Sequence, residues 1–339
     1  GVGLVGSEMC IRDRMREIKP NKKNIFSKFF IKICRFFGFE IIDQSNFAAP
    51  VSNKSLNESL SVPGKRSITL PLGEVKITRK VKSFDVILRT CMTVNMLTQS
   101  KKRIFEKEKE EYTKRTLVSI IKSINHAKIK FKETKFKIYV IDHNSQNDQM
   151  NMLKNILNNS QIDFEIKNLD FNRYSKEIKK INEENKEVTS NQKSNMSNIH
   201  QSIILSKEKC EDLTYFVEDD YLHQLDAVSE ILFTYEKFSS LINNELIICP
   251  TDYPYLYTGA NDTKVFMGEN RHWRKIDQTL CSFVMSKKII NNYFEELISM
   301  CKFEHYPFEK PLHNIYKKEL CVSPIPCLLY TSPSPRDQL

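Results

Sequence analysis

The sequence predicts an α/β fold, a mostly parallel sheet flanked by helices, with a small N-terminal appendage ahead of it. Two observations carry that prediction. From Phe84 onward, short strand-like apolar runs alternate with stretches of helical periodicity, the β-α-β rhythm of strands joined by crossover helices. The run Tyr215-Phe216-Val217-Glu218-Asp219-Asp220-Tyr221 then sets three successive acids at the end of one such strand. Ligand sites in open α/β sheets gather at the carboxyl ends of strands.

Both ends of the chain differ in character from the sequence between them. Leu4 to Asp13 and Cys327 to Asp337 resemble translated sequencing-library adapter, because one DNA stretch read on its two strands encodes both peptides. Residues 1 to 14 and 327 to 339 are therefore expected to be foreign to the fold, with the natural chain starting at Met15 and continuing beyond Pro326.

Residues 15 to 80 read as the appendage. Phe26, Phe29, Phe30, Ile33, Phe36 and Phe37 recur at helical spacing, while Lys28, Lys32 and Arg35 form another stripe. Ile25 to Phe37 is thus expected as a basic amphipathic helix that either lies on an anionic membrane surface or packs its Phe face on the main domain. A Ser/Asn/Pro-rich connector, Asp43 to Gly64, follows, and then a short alternating segment around Val75 and Ile77.

Residues 81 to 326 form the main domain. Strands are expected at Phe84 to Thr90, Phe136 to Ile141, Phe164 to Ile166, Leu213 to Val217, Leu246 to Cys249 and Leu280 to Met285. Helices are expected between them. Leu117, Ile120, Ile121 and Ile124 fall at i, i+3, i+4 and i+7; Met150 to Leu157 and Met196 to Leu205 are read the same way. Leu225, Val228, Ile231, Leu232, Tyr235 and Phe238 mark one face of a helix after the acids, and another helix starts near Lys287. Lys179 to Lys193 reads as a solvated mobile loop, and Pro250 to Lys275 as a long loop of the kind used for lids and binding.

The chain carries 52 Lys and Arg against 42 Asp and Glu, a formal charge of +10. Such a balance favours anionic partners, nucleotide diphosphates, anionic lipid or nucleic acid, without choosing among them. The seven cysteines left from nine, once the terminal stretches are set aside, are scattered singly with no zinc spacing, which suits a reduced cytosol. No stretch approaches the roughly 18 continuous apolar residues of a membrane span. A cytoplasmic protein is expected, peripheral on the inner face of the membrane if its Phe/Lys helix docks there. There is no P-loop, GxGxxG or Ser-based elbow.

Glu218, Asp219 and Asp220 exceed what a following helix needs, since one acid would cap it and complement its dipole. Three concentrate charge where a cation or hydrogen-bonding ligand must offset it, which points to a divalent metal and a phosphate-bearing substrate. Asn270 to Lys275 sets the only tryptophan, Trp273, among cations. An exposed ring there suits a sugar face; a buried one is a core anchor.

Hydrophobic strand, Glu-Asp-Asp, aromatic residue and helix together resemble the DxD-type motif of GT-A glycosyltransferases, family 2-like, in its Glu-Asp-Asp variant. The resemblance covers about Phe84 to Met300. It implies a GT-A sheet, a nucleoside diphosphate sugar donor, a glycan, lipid-linked or other hydroxyl acceptor, and Mn²⁺ or Mg²⁺ on the donor diphosphate. It makes Asp220 the metal ligand, with Glu218 and Asp219 contacting ribose or metal-bound water. Arg89 and Thr90 would end the first strand at the donor, Asp142 would end the second there, and Asn198 would lie along the nucleotide. Trp273 and Arg274 would meet the acceptor, and Asp277, or Asp252 in its place, would be the base of an inverting transfer. His305 and His313 are candidates for the late metal ligand of some members. The alternatives are a non-catalytic peripheral membrane or polyanion-binding protein on the same scaffold, and a sugar nucleotidyltransferase, whose Gly-rich loop has no counterpart in Thr90-Cys91-Met92-Thr93. No nucleic-acid partner is expected.

Overall fold

A computed structural model of the chain describes residues 25–37, 76–93, 108–253, 263–279 and 282–331. The chain divides into two units, Gly1–Glu74 and Val75–Leu339. Of the first, the described part is the helix α1 (Ile25–Phe36) with Phe37, and its phenylalanines are exposed. The connector Asp43 to Gly64 and residues 1 to 14 lie outside the described residues. Among the described residues no helix is long and apolar enough to cross a membrane.

The second unit begins β1 (Ser83–Thr90), α2 (Lys109–Lys130), β2 (Lys135–Asp142), α3 (Asn147–Asn158), β3 (Asp163–Asn168), α4 (Ser190–Lys209) and β4 (Leu213–Glu218). After the acids come β5 (Tyr221–His223), α5 (Ala227–Ile242), β6 (Ile247–Ile248), β7 (Val265–Met267), β8 (His272–Lys275) and β9 (Phe283–Ser286). The chain continues through α6 (Lys287–Asn292), α7 (Phe294–Lys302), α8 (Lys310–Lys318), β10 (Cys321–Ile325) and β11 (Leu329–Thr331).

Nine strands form one sheet in the order β3-β2-β1-β4-β9-β6-β10-β8-β7. β3, β2, β1 and β4 pair in parallel, as do β6 and β10; β9 and β8 run against the rest. A mostly parallel sheet must be covered on both faces, so its central strands read as continuous apolar runs, and every residue of β1 is buried. Strand alternation then sorts the core. Val86, Leu88 and Tyr215 pack with α2 and α5, while Ile87, Tyr139 and Phe216 pack with α4, α7 and α8. The chain moves outward from β1 to β2 and β3, then returns to place β4 on β1's other side. That reversal makes a topological switch point at the carboxyl ends of β1 and β4, the place where open α/β sheets form their crevice.

Three sequence expectations need correction. Of Pro250 to Lys275, residues 254–262 lie outside the described ones and the later part holds β7 and β8, with Trp273 buried opposite Pro324. β8 is too short to show a period, and its partner β10 is far along the chain. Lys179 to Lys193 is tied down, with Lys179 N donating to Lys302 O at 2.8 Å and Glu183 N to Glu304 O at 3.1 Å. Its end is a capping box, Thr189 with Gln192, so α4 starts several residues before its apolar run. Finally, Cys327 to Thr331 does not hang free of the fold. β11 pairs with β5, Leu329 opposite His223, and Leu328 and Leu329 are buried.

Candidate active site

The β-ladders bring four of the predicted residues together at the crevice. Arg89 stands opposite Glu218 across β1 and β4, and Thr90 opposite Asp142 across β1 and β2. The buried Arg89 donates from Nη2 to Glu218 Oε1 at 3.0 Å and from Nη1 to Asn195 Oδ1 at 3.1 Å. Thr90 Oγ1 donates to Asp142 Oδ1 at 2.7 Å, and Ser145 adds its backbone N at 3.0 Å and its Oγ at 2.5 Å to the same carboxylate. Asp142 is thereby fixed in one orientation. Asn198 on α4 donates to Ile141 O at 3.1 Å, while among the described residues its buried Oδ1 has no partner. An unmet buried acceptor beside a crevice marks a place where a ligand or water belongs.

The three acids do not act alike. Successive side chains leave an extended backbone on opposite faces. Glu218 turns to Arg89, whereas Asp219 turns the other way, pairing with Lys109 Nζ and accepting from Thr113 Oγ1 at 2.8 Å. Asp219, expected to contact the donor, is instead a brace between the acid turn and the first turn of α2. Asp220 is half-buried in the turn that leads into β5. Just beyond it, the buried Tyr221 hydroxyl meets Tyr253 OH at 2.8 Å, which ties the segment after β6 to the acid turn. Burial pushes the Tyr221 phenol well above its ordinary range, so it stays protonated.

On the β2 side, His143 Nδ1 lies 2.5 Å from Ser194 Oγ, and its ring stacks on Phe171 with centroids 5.1 Å apart. Burial lowers the pKa of His143 and keeps the imidazole neutral at pH 7. A cleft of about 550 Å³ borders this pair, lined by Phe171, Lys176, Thr189 and Lys193 among others. His143, Ser194 and Lys109 carry no site signal in the sequence, while Asn195 belongs to the same helix as Asn198. The capping box ahead of Ser194 is the signal that brings Ser194 and Asn195 onto a helix facing the crevice.

No family model and no curated protein sequence matches this chain. Solved structures give distant likenesses. UDP-glucose pyrophosphorylase complexed with UDP-glucose superposes with a TM-score of 0.38 at 9% identity, over 72% of this chain and 90% of that one. Inositol-1-phosphate CTP transferase from T. maritima gives 0.36 at 12%, over 77% and 93%. Mouse xyloside xylosyltransferase 1 gives 0.38 at 8%, over 69% and 76%. Likenesses this distant carry no weight for the reaction.

The remaining predicted residues divide sharply. Trp273 is fully buried, its Nε1 donating to the buried Glu230 at 3.1 Å, so it offers no face to a sugar and is the core anchor. Asp277 is exposed but at the wrong edge. β8 runs against the parallel strands, and Ile276 N meets Cys321 O at the start of β10, the amino edge of the sheet. Four strand spacings of about 4.8 Å, roughly 20 Å, also separate β8 from β4. Asp252 instead follows β6 at the carboxyl edge, next to Tyr253, and pairs with Arg274 Nη2 at 2.5 Å.

The donor set decides what cation fits. Among the described residues no three His, Cys, Asp or Glu side chains gather into a metal cage. The partly exposed Glu218 ends β4, and Asp220 stands in the turn that follows it. A cation held by one or two carboxylates and completed by substrate phosphates and water is the habit of Mg²⁺ and its hard relatives. The residues fit such a shared site and not an all-protein one.

Proposed function

We propose that the chain is a glycosyltransferase that moves a sugar from a nucleoside diphosphate sugar to an acceptor hydroxyl. The observation that carries this reading is the register at the switch point. Arg89 with Glu218 and Thr90 with Asp142 set a cation and fixed carboxylates around one crevice, with the acid turn on its rim. Asp142 and Asn198 offer acceptors to the nucleoside's N–H and O–H groups, and Arg89 offers positive charge to the diphosphate. Asp220, helped by Glu218, would hold Mn²⁺ or Mg²⁺, which when bound offsets the charge of the departing diphosphate.

In the transfer the acceptor oxygen bonds to the anomeric carbon as the carbon's bond to the diphosphate oxygen breaks, and the acceptor's proton leaves. Asp252 is the proton acceptor in this reading, oriented by Arg274, and Asp219 and Lys109 hold the acid turn against α2. A sugar nucleotidyltransferase would release pyrophosphate from a nucleoside triphosphate; this enzyme releases a nucleoside diphosphate.

Calorimetric titration of the full chain with UDP, GDP, CDP and dTDP, each with and without Mn²⁺, tests the reading. One nucleotide is expected to bind only with the metal, and Asp220→Asn to weaken it by tenfold or more, roughly 1.4 kcal/mol, with the circular dichroism unchanged. A folded chain that binds none of the four overturns it.

A further inference from the structure

The strongest feature outside the crevice is α1. Phe26, Phe29, Phe30, Ile33, Phe36 and Phe37 recur at i, i+3, i+4, i+7, i+10 and i+11, one continuous stripe along the helix. None of the six is buried, with Phe26 at 81% exposure and Phe36 at 86%, which is far from the ordinary state of a phenylalanine cluster. The charge around that stripe is of a single sign. From Ile18 to Phe39 the sequence has six cations, Lys19, Lys22, Lys23, Lys28, Lys32 and Arg35, and no acid. Lys32 is exposed.

We infer that α1 docks the protein on an anionic lipid surface, lying in the interface with its Phe stripe among the acyl chains. Length rules out spanning, since 12 residues at about 1.5 Å each make roughly 18 Å against a hydrocarbon core of about 30 Å. Charge selects the occupant. A second copy of this helix would bring one cationic segment against another, whereas anionic headgroups neutralise the cations while the aromatic face enters the boundary. The inference stands apart from the crevice reading, because it is argued only from residues of α1 and the sequence flanking it.

The test is sedimentation of the full chain with vesicles of phosphatidylcholine alone and of equal parts phosphatidylcholine and phosphatidylserine, at low and high salt. Two variants go beside it, Phe29→Glu/Phe30→Glu and Lys28→Glu/Lys32→Glu. Binding is expected on the phosphatidylserine vesicles only, weakened several-fold by salt and by about tenfold or more in either variant, at unchanged melting temperature. Equal binding to neutral vesicles, or none to either, overturns the inference. So does a Phe variant that melts lower, which would place the stripe in a core, or one that alters only the mass in sedimentation equilibrium, which would make it a self-association face.

Discussion

Gly268 shows how tightly single atoms hold the frame behind the crevice. It sits in the β7–β8 turn, where a Cβ would collide with Glu230 Oε1 and the Trp273 indole. The same buried carboxylate accepts from Glu269 N at 3.1 Å and Asn270 N at 2.9 Å, so the turn is wrapped around it. Gly268→Ala is expected to cost about 1–3 kcal/mol in urea denaturation, the usual penalty of overpacking. Two titrating residues bias stability in opposite senses. Burial drives His223 down to about 3, where Tyr215 OH meets its Nε2 at 2.8 Å; it is neutral in the fold but takes up a proton on unfolding below its ordinary 6.5. Its contribution is present above pH 6.5 and is lost as pH falls toward 3. Burial lifts Asp85 to about 6 from 3.8, so the fold keeps a proton that the unfolded chain releases; that contribution is present below pH 3.8 and lost as pH rises through 6. Denaturation between pH 4 and 6 should therefore show His223→Gln tilting the profile toward acid stability and Asp85→Asn tilting it the other way. Each shift approaches about 1.4 kcal/mol per pH unit.

Among the elements, the short strands matter more than their length suggests. β5 has three residues, yet it follows the acid turn directly and is flanked by β11 through Leu329 opposite His223 and Thr331 opposite Tyr221. Leu328 N also donates to Pro250 O at 3.1 Å, which joins this hairpin-like pair to the segment that carries Asp252. A chain ending at Pro326 loses two buried leucines, each worth about 1.5–3 kcal/mol, and is expected to unfold at distinctly lower urea. An unchanged midpoint would show that β11 adds nothing to the fold. The sequence pointed the other way here, because the expectation for Cys327 to Thr331 rested on a resemblance to adapter and not on the segment's hydrophobicity. Leu328-Leu329-Tyr330 buries its leucines whatever its origin.

At the scale of the whole molecule, the sheet and its crevice belong entirely to the unit Val75–Leu339, and α1 belongs to the other. Val75–Leu339 made alone is therefore expected to melt where the full chain melts and to bind the same nucleotide. A lower melting temperature, read by differential scanning calorimetry, would show that the first unit contributes to this core. The charge of +10 acts on the molecule as a whole, raising encounter with anionic partners in a way that salt weakens.

The sequence by itself determined the α/β class, the strands β1, β2 and β4, and the acid turn at the end of β4, since long apolar runs and local periodicity are properties of neighbouring residues. It also selected Arg89, Thr90, Asp142, Asn198 and Asp252, each at or near the crevice edge. Only the tertiary structure decided how those residues meet and which were misplaced. Asp277 faces the amino edge because β8 runs antiparallel, Trp273 is buried because β8 pairs with a strand about fifty residues later, and Asp219 serves α2 because alternation turns it from its neighbours. Strand direction and register arise from contacts between distant segments, and no local pattern in a single sequence encodes them.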